Sequence, residues 1–195
     1  MAMRVTGGRL RSRRLLRPPG GVRPTSDRVR EAIFGRLGDV AGAAVLDLYA
    51  GIGSLGIEAA SRGAESVVFV ERDSRCRGVL QRNLASLGLD RGVQIAVGDA
   101  VRVIRALGRR RERFDLVLVD PPYASGEAGR ALEALVTAGI LARGATVVLE
   151  SGRRHPVPVP AGLAPIDERR YGDTVVTRLS PVTDGAEANS QPEPA

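Results

Sequence analysis

The chain of 195 residues is 43% hydrophobic, 26% charged and 3% aromatic, which suits one globular domain with short disordered ends rather than two domains or a coil. No stretch approaches the roughly 18 consecutive apolar residues of a membrane helix, and the start, Met1-Ala2-Met3-Arg4-Val5-Thr6, lacks the apolar core of a secretory signal, so a cytoplasmic protein is expected. One cysteine, Cys76, excludes an internal disulfide, and one histidine, His155, leaves too few soft ligands for a structural zinc site and argues against a serine-histidine-aspartate triad; no metal is expected.

All 29 basic residues are arginines, and nine of them (Arg4, Arg9, Arg11, Arg13, Arg14, Arg17, Arg23, Arg28 and Arg30) fall in the first thirty residues beside one acid, Asp27. The formal charge of +7 therefore comes from one end, because the remaining 20 arginines face 21 acids. A basic segment on a near-neutral body is the asymmetry of a protein that holds a polyanion beside a site elsewhere; a solvated tail has the same composition.

In chain order, residues 4–16 read as two short strands bent at Gly7-Gly8, and 26–37 as an amphipathic helix through Val29, Ile33 and Leu37. Residues 44–49 make a first strand that meets Gly51, and 54–62 a helix that stops at Gly63. Residues 66–71 make a second strand. Asp73 then caps a helix that buries Cys76, Leu80, Leu84 and Leu87 before Gly88, which makes Cys76 a core residue rather than a reactive one. Strands at 93–97, 114–120 and 145–150 alternate with helices at 100–107 and 128–138. Such β-α repetition implies a parallel sheet covered on both faces. Pro156, Pro158 and Pro160 then force an extended connection, in which His155 is exposed. Residues 163–171 and 174–179 form an antiparallel hairpin around Gly172-Asp173. The proline-bearing acidic end, 181–195, is expected to be disordered.

In an open parallel sheet the ligand site lies beyond the carboxyl ends of the strands, so those ends are read together. Gly51, Gly53 and Gly56 fit G-x-G-x-x-G, and Glu71 follows Gly51 by twenty residues at the tip of the next strand, where a carboxylate can accept both hydroxyls of a ribose. A nicotinamide dinucleotide and an adenosyl ligand fit these features equally. Asp47, facing the turn, suits a positively charged ligand better than a pyrophosphate, and Asp99 with Ala100 is placed for an adenine amine; capping a turn or helix is the plainer role for either acid. Glu150 ends the fifth strand without an assigned role.

Asp120-Pro121-Pro122-Tyr123 is the sharpest signal. An exocyclic amine on a nucleobase is a poor nucleophile because its lone pair is delocalised into the ring. The Asp120 carboxylate and the Pro121 carbonyl can fix its two hydrogens and localise that pair, while the diproline keeps both acceptors rigid. Tyr123 can stack on an extruded base and hold it in line with an electrophilic methyl group.

These residues together resemble the class I S-adenosylmethionine-dependent methyltransferases that modify exocyclic amines. Within that superfamily, the stretches 4–8, 23–31 and 53–59 are similar to the bacterial small-subunit rRNA methyltransferase D family, with likeness from Arg4 to about Leu179. The resemblance implies a Rossmann-like, mostly parallel seven-stranded sheet of order 3-2-1-4-5-7-6 behind a basic N-terminal extension, and formation of N2-methylguanine at guanine 966 of 16S ribosomal RNA. It places Asp47, Gly51, Gly53, Glu71, Asp99 and Ala100 around S-adenosylmethionine, and Asp120 to Tyr123 at the guanine. Ile52 departs from the family's usual small hydroxyl residue.

On this reading residues 1–25 are an RNA-binding arm, 26–180 the methyltransferase domain and 181–195 a tail. Arg4, Arg9, Arg11, Arg13, Arg14 and Arg23 would track phosphates of 16S RNA or the small subunit while loop shape gives specificity. With three phenylalanines and three tyrosines, an extended base-stacking platform is not expected. The run Arg109-Arg110-Arg111-Glu112-Arg113 reads as a solvated loop, and a monomer is expected. DNA amino-methylation by the same motif is the main alternative, though the chain shows no separate target-recognition domain. A non-catalytic RNA-binding assembly factor keeps the arm and leaves the crevice idle. A nicotinamide oxidoreductase leaves the diproline motif without purpose.

Overall fold

The computed structural model describes residues 3–17, 26–122 and 126–182. Its strands are β1 (Ala44–Leu48), β2 (Ser66–Glu71), β3 (Val93–Val97), β4 (Phe114–Val119), β5 (Leu141–Gly152), β6 (Leu163–Tyr171) and β7 (Thr174–Pro181). Its helices are α1 (Asp27–Leu37), α2 (Ser54–Ser61), α3 (Ser74–Leu87), α4 (Ala100–Arg109) and α5 (Glu127–Ala138). The strands join in one sheet of order β3-β2-β1-β4-β5-β7-β6, the order the family resemblance implies. β1 to β5 pair in parallel, and β7 returns antiparallel between β5 and β6.

Local chemistry sets the helix ends. Asp73 caps α3 by accepting the N–H groups of Arg75 and Cys76, and Gly88 closes it in the left-handed region at φ 67°. Ser26 caps α1 through the Val29 N–H. Side-chain alternation along the strands then divides the core. Val45, Val67, Phe69, Leu116, Leu118 and Val148 face one cluster, which includes residues of α1, α2 and α3. Leu46, Leu48, Val68, Val117, Val119 and Val147 face a second cluster with α4 and α5.

The basic segment packs through its apolar residues. Met3, Val5, Leu10 and Leu15 are buried in the first cluster, while Arg4, Arg9, Arg11, Arg13, Arg14 and Arg17 are exposed. Where two short strands were expected, there is one antiparallel bridge, Arg4 to Arg14, and a 3-10 turn at Gly8–Leu10. Close approach to α2 dictates this: a Cβ on Gly8, at φ 69°, would stand 1.9 Å from the Ser61 carbonyl oxygen.

Other elements depart from expectation at their ends. β5 begins four residues before position 145, because Leu141 pairs with Phe114 and the register then jumps to Thr146 opposite Leu116, with Gly144 at φ 77° in the irregular stretch. β7 extends through Pro181, so the tail begins later than position 181. The rest of that tail, from 183 on, lies outside the described residues.

Candidate active site

The carboxyl ends of β1 to β5 open onto a cleft of about 820 Å³ bordered by Gly51, Glu71, Asp99, Ala100, Asp120, Pro121, Pro122 and Glu150. By strand alternation Glu71 follows Val67 and Phe69 on the face of the first core cluster, and Asp120 is the first residue past β4. Both acids border the one cleft.

The loop after β1 needs three left-handed residues, Tyr49 at φ 59°, Gly51 at φ 58° and Gly53 at φ 84°. Gly53 serves packing as well, since a Cβ there would sit 2.4 Å from Leu80. Glu71 accepts the Gly51 N–H through Oε2 at 2.7 Å and the Asp73 N–H through Oε1 at 2.7 Å. Asp47 lies beneath the loop, 1% exposed, and its Oδ2 accepts the Gly56 N–H at 2.9 Å. Burial pushes the Asp47 carboxyl up to about 7; the Gly56 N–H opposes the rise and the nearby Glu71 charge adds to it. Ile52 is buried, and its carbonyl accepts the Asn83 side-chain N–H at 3.1 Å, so this departure from the family pattern packs into the core.

On the far side of the loop, the Tyr49 hydroxyl donates to the Glu127 carbonyl at 3.1 Å. Its phenol is held well above the ordinary value, first by burial and then by the Glu127 and Asp99 charges. Asp99 caps α4 by accepting the Arg102 N–H at 3.1 Å while also bordering the cleft. Arg72 and Glu127 form an ion pair of 2.9 Å that joins the end of β2 to the start of α5. Tyr123 and Arg23 lie outside the described residues.

Cys76 is 8% exposed at the edge of the cleft, and burial raises its thiol pKa. His155 is exposed, and the side chains of Arg109, Arg110, Arg111 and Arg113 are open to solvent, as read from the sequence.

Sequence reasoning missed the buried polar hub behind the loop. Glu58, with no exposure, accepts the Thr6 N–H and hydroxyl, each at 2.8 Å, and the Arg62 Nε at 2.9 Å. The fully buried Arg30 places its Nε 3.4 Å from Glu58 and donates to Asp27 at 2.7 Å and to the Arg4 carbonyl. Asn83 adds a second tie, accepting the Leu16 N–H at 2.8 Å while donating to Ile52. The signal was present: the three stretches carrying the family likeness contain Thr6, Arg30 and Glu58.

The sheet order, the glycine loop and the acids at successive strand ends define a class I S-adenosylmethionine-dependent methyltransferase. The cleft volume lies within the roughly 300–1,000 Å³ of small-molecule sites, and its carboxylates suit a donor that carries hydroxyls and a sulfonium charge. A family model described as Conserved hypothetical protein 95 matches residues 3–180, and the chain belongs to this family, as the likeness to methyltransferase D implied. Bacillus subtilis YlbH is 36% identical over 177 residues, spanning 89% of this chain and 96% of YlbH. The Escherichia coli K12 ribosomal RNA small subunit methyltransferase D is 36% identical over 167 residues, spanning 82% of this chain and 80% of that protein. The solved structure of Escherichia coli yhhF matches with a TM-score of 0.81 at 30% identity, over 93% of this chain and 98% of that one.

Proposed function

We propose that this chain transfers the methyl group of S-adenosylmethionine to the exocyclic N2 of a guanine in small-subunit ribosomal RNA, guanine 966 of 16S RNA. The observation that carries the reading is Asp120-Pro121-Pro122 bordering the same cleft as Gly51 and Glu71; the name of the Escherichia coli relative supports the RNA substrate. The bound donor supplies an electrophilic methyl on a sulfonium. Gly51 and Gly53 line its methionine part, Glu71 holds the ribose and Asp99 with Ala100 the adenine, and Asp47 supports the loop that seats it. Asp120 and the Pro121 carbonyl accept hydrogen bonds from the two amine hydrogens, so the lone pair is localised and aimed before transfer; the N–C bond forms as the C–S bond breaks, and one amine proton leaves. Tyr123 stacks on the extruded base.

The basic N-terminal segment serves as the RNA-binding surface of a cytoplasmic monomer; its apolar residues pack in the core of the methyltransferase domain, which runs through Pro181 with the tail following it. Arg4, Arg9, Arg11, Arg13, Arg14 and Arg23 contact phosphates. Ser26 and Val29, at the start of α1, border the cleft. The test is competition for labelled donor between under-methylated small subunits and duplex DNA. Label confined to ribosomal RNA supports the reading; label preferring DNA overturns it.

A further inference from the structure

We infer that Glu150 reads the N1–H of the target base and so selects guanine over purines that lack that hydrogen; this rests on the guanine N2 reading above. Its position follows from the sheet register. β4 and β5 run in parallel with Leu118 opposite Val148 and Val119 opposite Leu149. The next residues are Asp120, the first past the end of β4, and Glu150, still within β5, so the register brings them to neighbouring positions on adjacent chains about 4.8 Å apart. Alternation carries Glu150 onto the face of Val148, the face of the first core cluster, and Asp120 follows Leu118 by two residues just past the end of β4. Both border the cleft, and Glu150 is only 4% exposed, held in the sheet by β7 with Val176 as its register partner. A carboxylate in the wall of a cleft, beside the acid assigned to the amine, is placed to meet the next atom of the same base edge.

The chemistry of that edge makes the neighbour selective. Guanine presents N2–H and N1–H as adjacent donors. Adenine presents its amine beside an N1 that carries a lone pair. With Asp120 on the amine, the Glu150 carboxylate accepts the guanine N1–H in a charge-assisted bond. The N1 of adenine meets the same carboxylate acceptor to acceptor, a repulsive contact that rejects the wrong base as well as favouring the right one. Asp120 and the Pro121 carbonyl engage any exocyclic amine, so on this assignment base identity is read by Glu150.

The test compares small subunits reassembled with RNA carrying either guanine or 2-aminopurine at the target position. 2-Aminopurine keeps the amine and replaces N1–H with a lone pair. The wild-type protein should prefer guanine by on the order of 100-fold, the upper part of the range for a hydrogen-bond pair that reads a base. In Glu150→Gln the side-chain amide can turn its NH₂ toward that lone pair, and the preference should fall by at least about 10-fold. The preference is a ratio within one preparation, so any loss of folded protein cancels. Should the variant transfer no methyl at all, competitive binding of the two RNAs to donor-loaded protein reads the same ratio. An unchanged ratio in Glu150→Gln, with wild-type protein active on guanine, overturns this inference and leaves the guanine reading standing. Wild-type protein that ignores guanine overturns both.

Discussion

Glu71 takes the backbone N–H of Gly51 on one carboxylate oxygen at 2.7 Å, while its other oxygen holds the N–H of Asp73 at the same distance. One side chain thereby fixes the loop after β1 and the turn before α3, two segments that border the cleft.

Replacing Glu71 with Gln turns one of those acceptors into a donor that faces an N–H group. Hydrogen bonds to charged groups contribute roughly 1.5–3 kcal/mol each, so donor affinity measured by calorimetry should fall about 10- to 100-fold. Retained affinity would show that the loop does not depend on this carboxylate.

Asp47 gives a signed pH dependence. Its carboxyl titrates near 7 in the fold against an ordinary value of 3.8, so between those values the folded chain holds a proton that the unfolded chain has lost. The Asp47 contribution to stability is complete below about pH 4 and is lost as pH rises through about 7, with an upper bound of roughly 4 kcal/mol. An asparagine at 47 keeps an acceptor for Gly56 and carries no proton to lose. Urea unfolding from pH 4.5 to 7.5 should show wild type weakening relative to Asp47→Asn; parallel curves for the two proteins would contradict this.

The hub at Glu58 is expected to carry stability. Glu58→Ala strands the buried Arg30 guanidinium, and breaking a buried pair from one side costs about 3–5 kcal/mol. Thr6→Val removes one hydroxyl bond, for about 1 kcal/mol. Denaturant titration of the single and double variants should show non-additive losses, because both act through the same carboxylate.

What the sequence made legible follows from which forces are local. The strand, glycine-turn and helix punctuation around Gly51, Asp73 and Gly88 is written in adjacent residues, and the hairpin at Gly172-Asp173 likewise. The acids at the ends of β1 to β4 could be aligned because a parallel sheet brings strand ends together. The Thr6–Glu58 pair spans 52 residues in sequence, and no periodicity reports it; the two segments only shared a family likeness. Asp47 illustrates the same limit. Its place in β1 was readable, but that it sits below the loop on the Gly56 N–H depends on how α2 packs. The early start of β5 was hidden because a register shift at Gly144 has no alternating pattern to betray it.

The exposed arginines of the basic segment should act on RNA and not on the donor. Replacing Arg9, Arg11 and Arg14 with alanine should weaken RNA binding and flatten its dependence on salt by about 0.7 per lost phosphate contact, the single-strand value. Calorimetric affinity for S-adenosylmethionine and the melting temperature should stay at wild-type values, since these side chains are exposed. An unchanged salt slope would remove the segment from the RNA interface.

Most direct for the whole account is mass mapping of modified nucleotides in small-subunit RNA after incubation with labelled donor and either wild-type protein or Asp120→Ala. Wild type should add one methyl to N2 of a single guanine. The variant should bind donor normally and lose transfer by at least about 100-fold, the scale of removing one preorganised polar partner. Equal rates for the two proteins, or a methyl found on another base, would contradict the role given to Asp120 and with it the proposed chemistry.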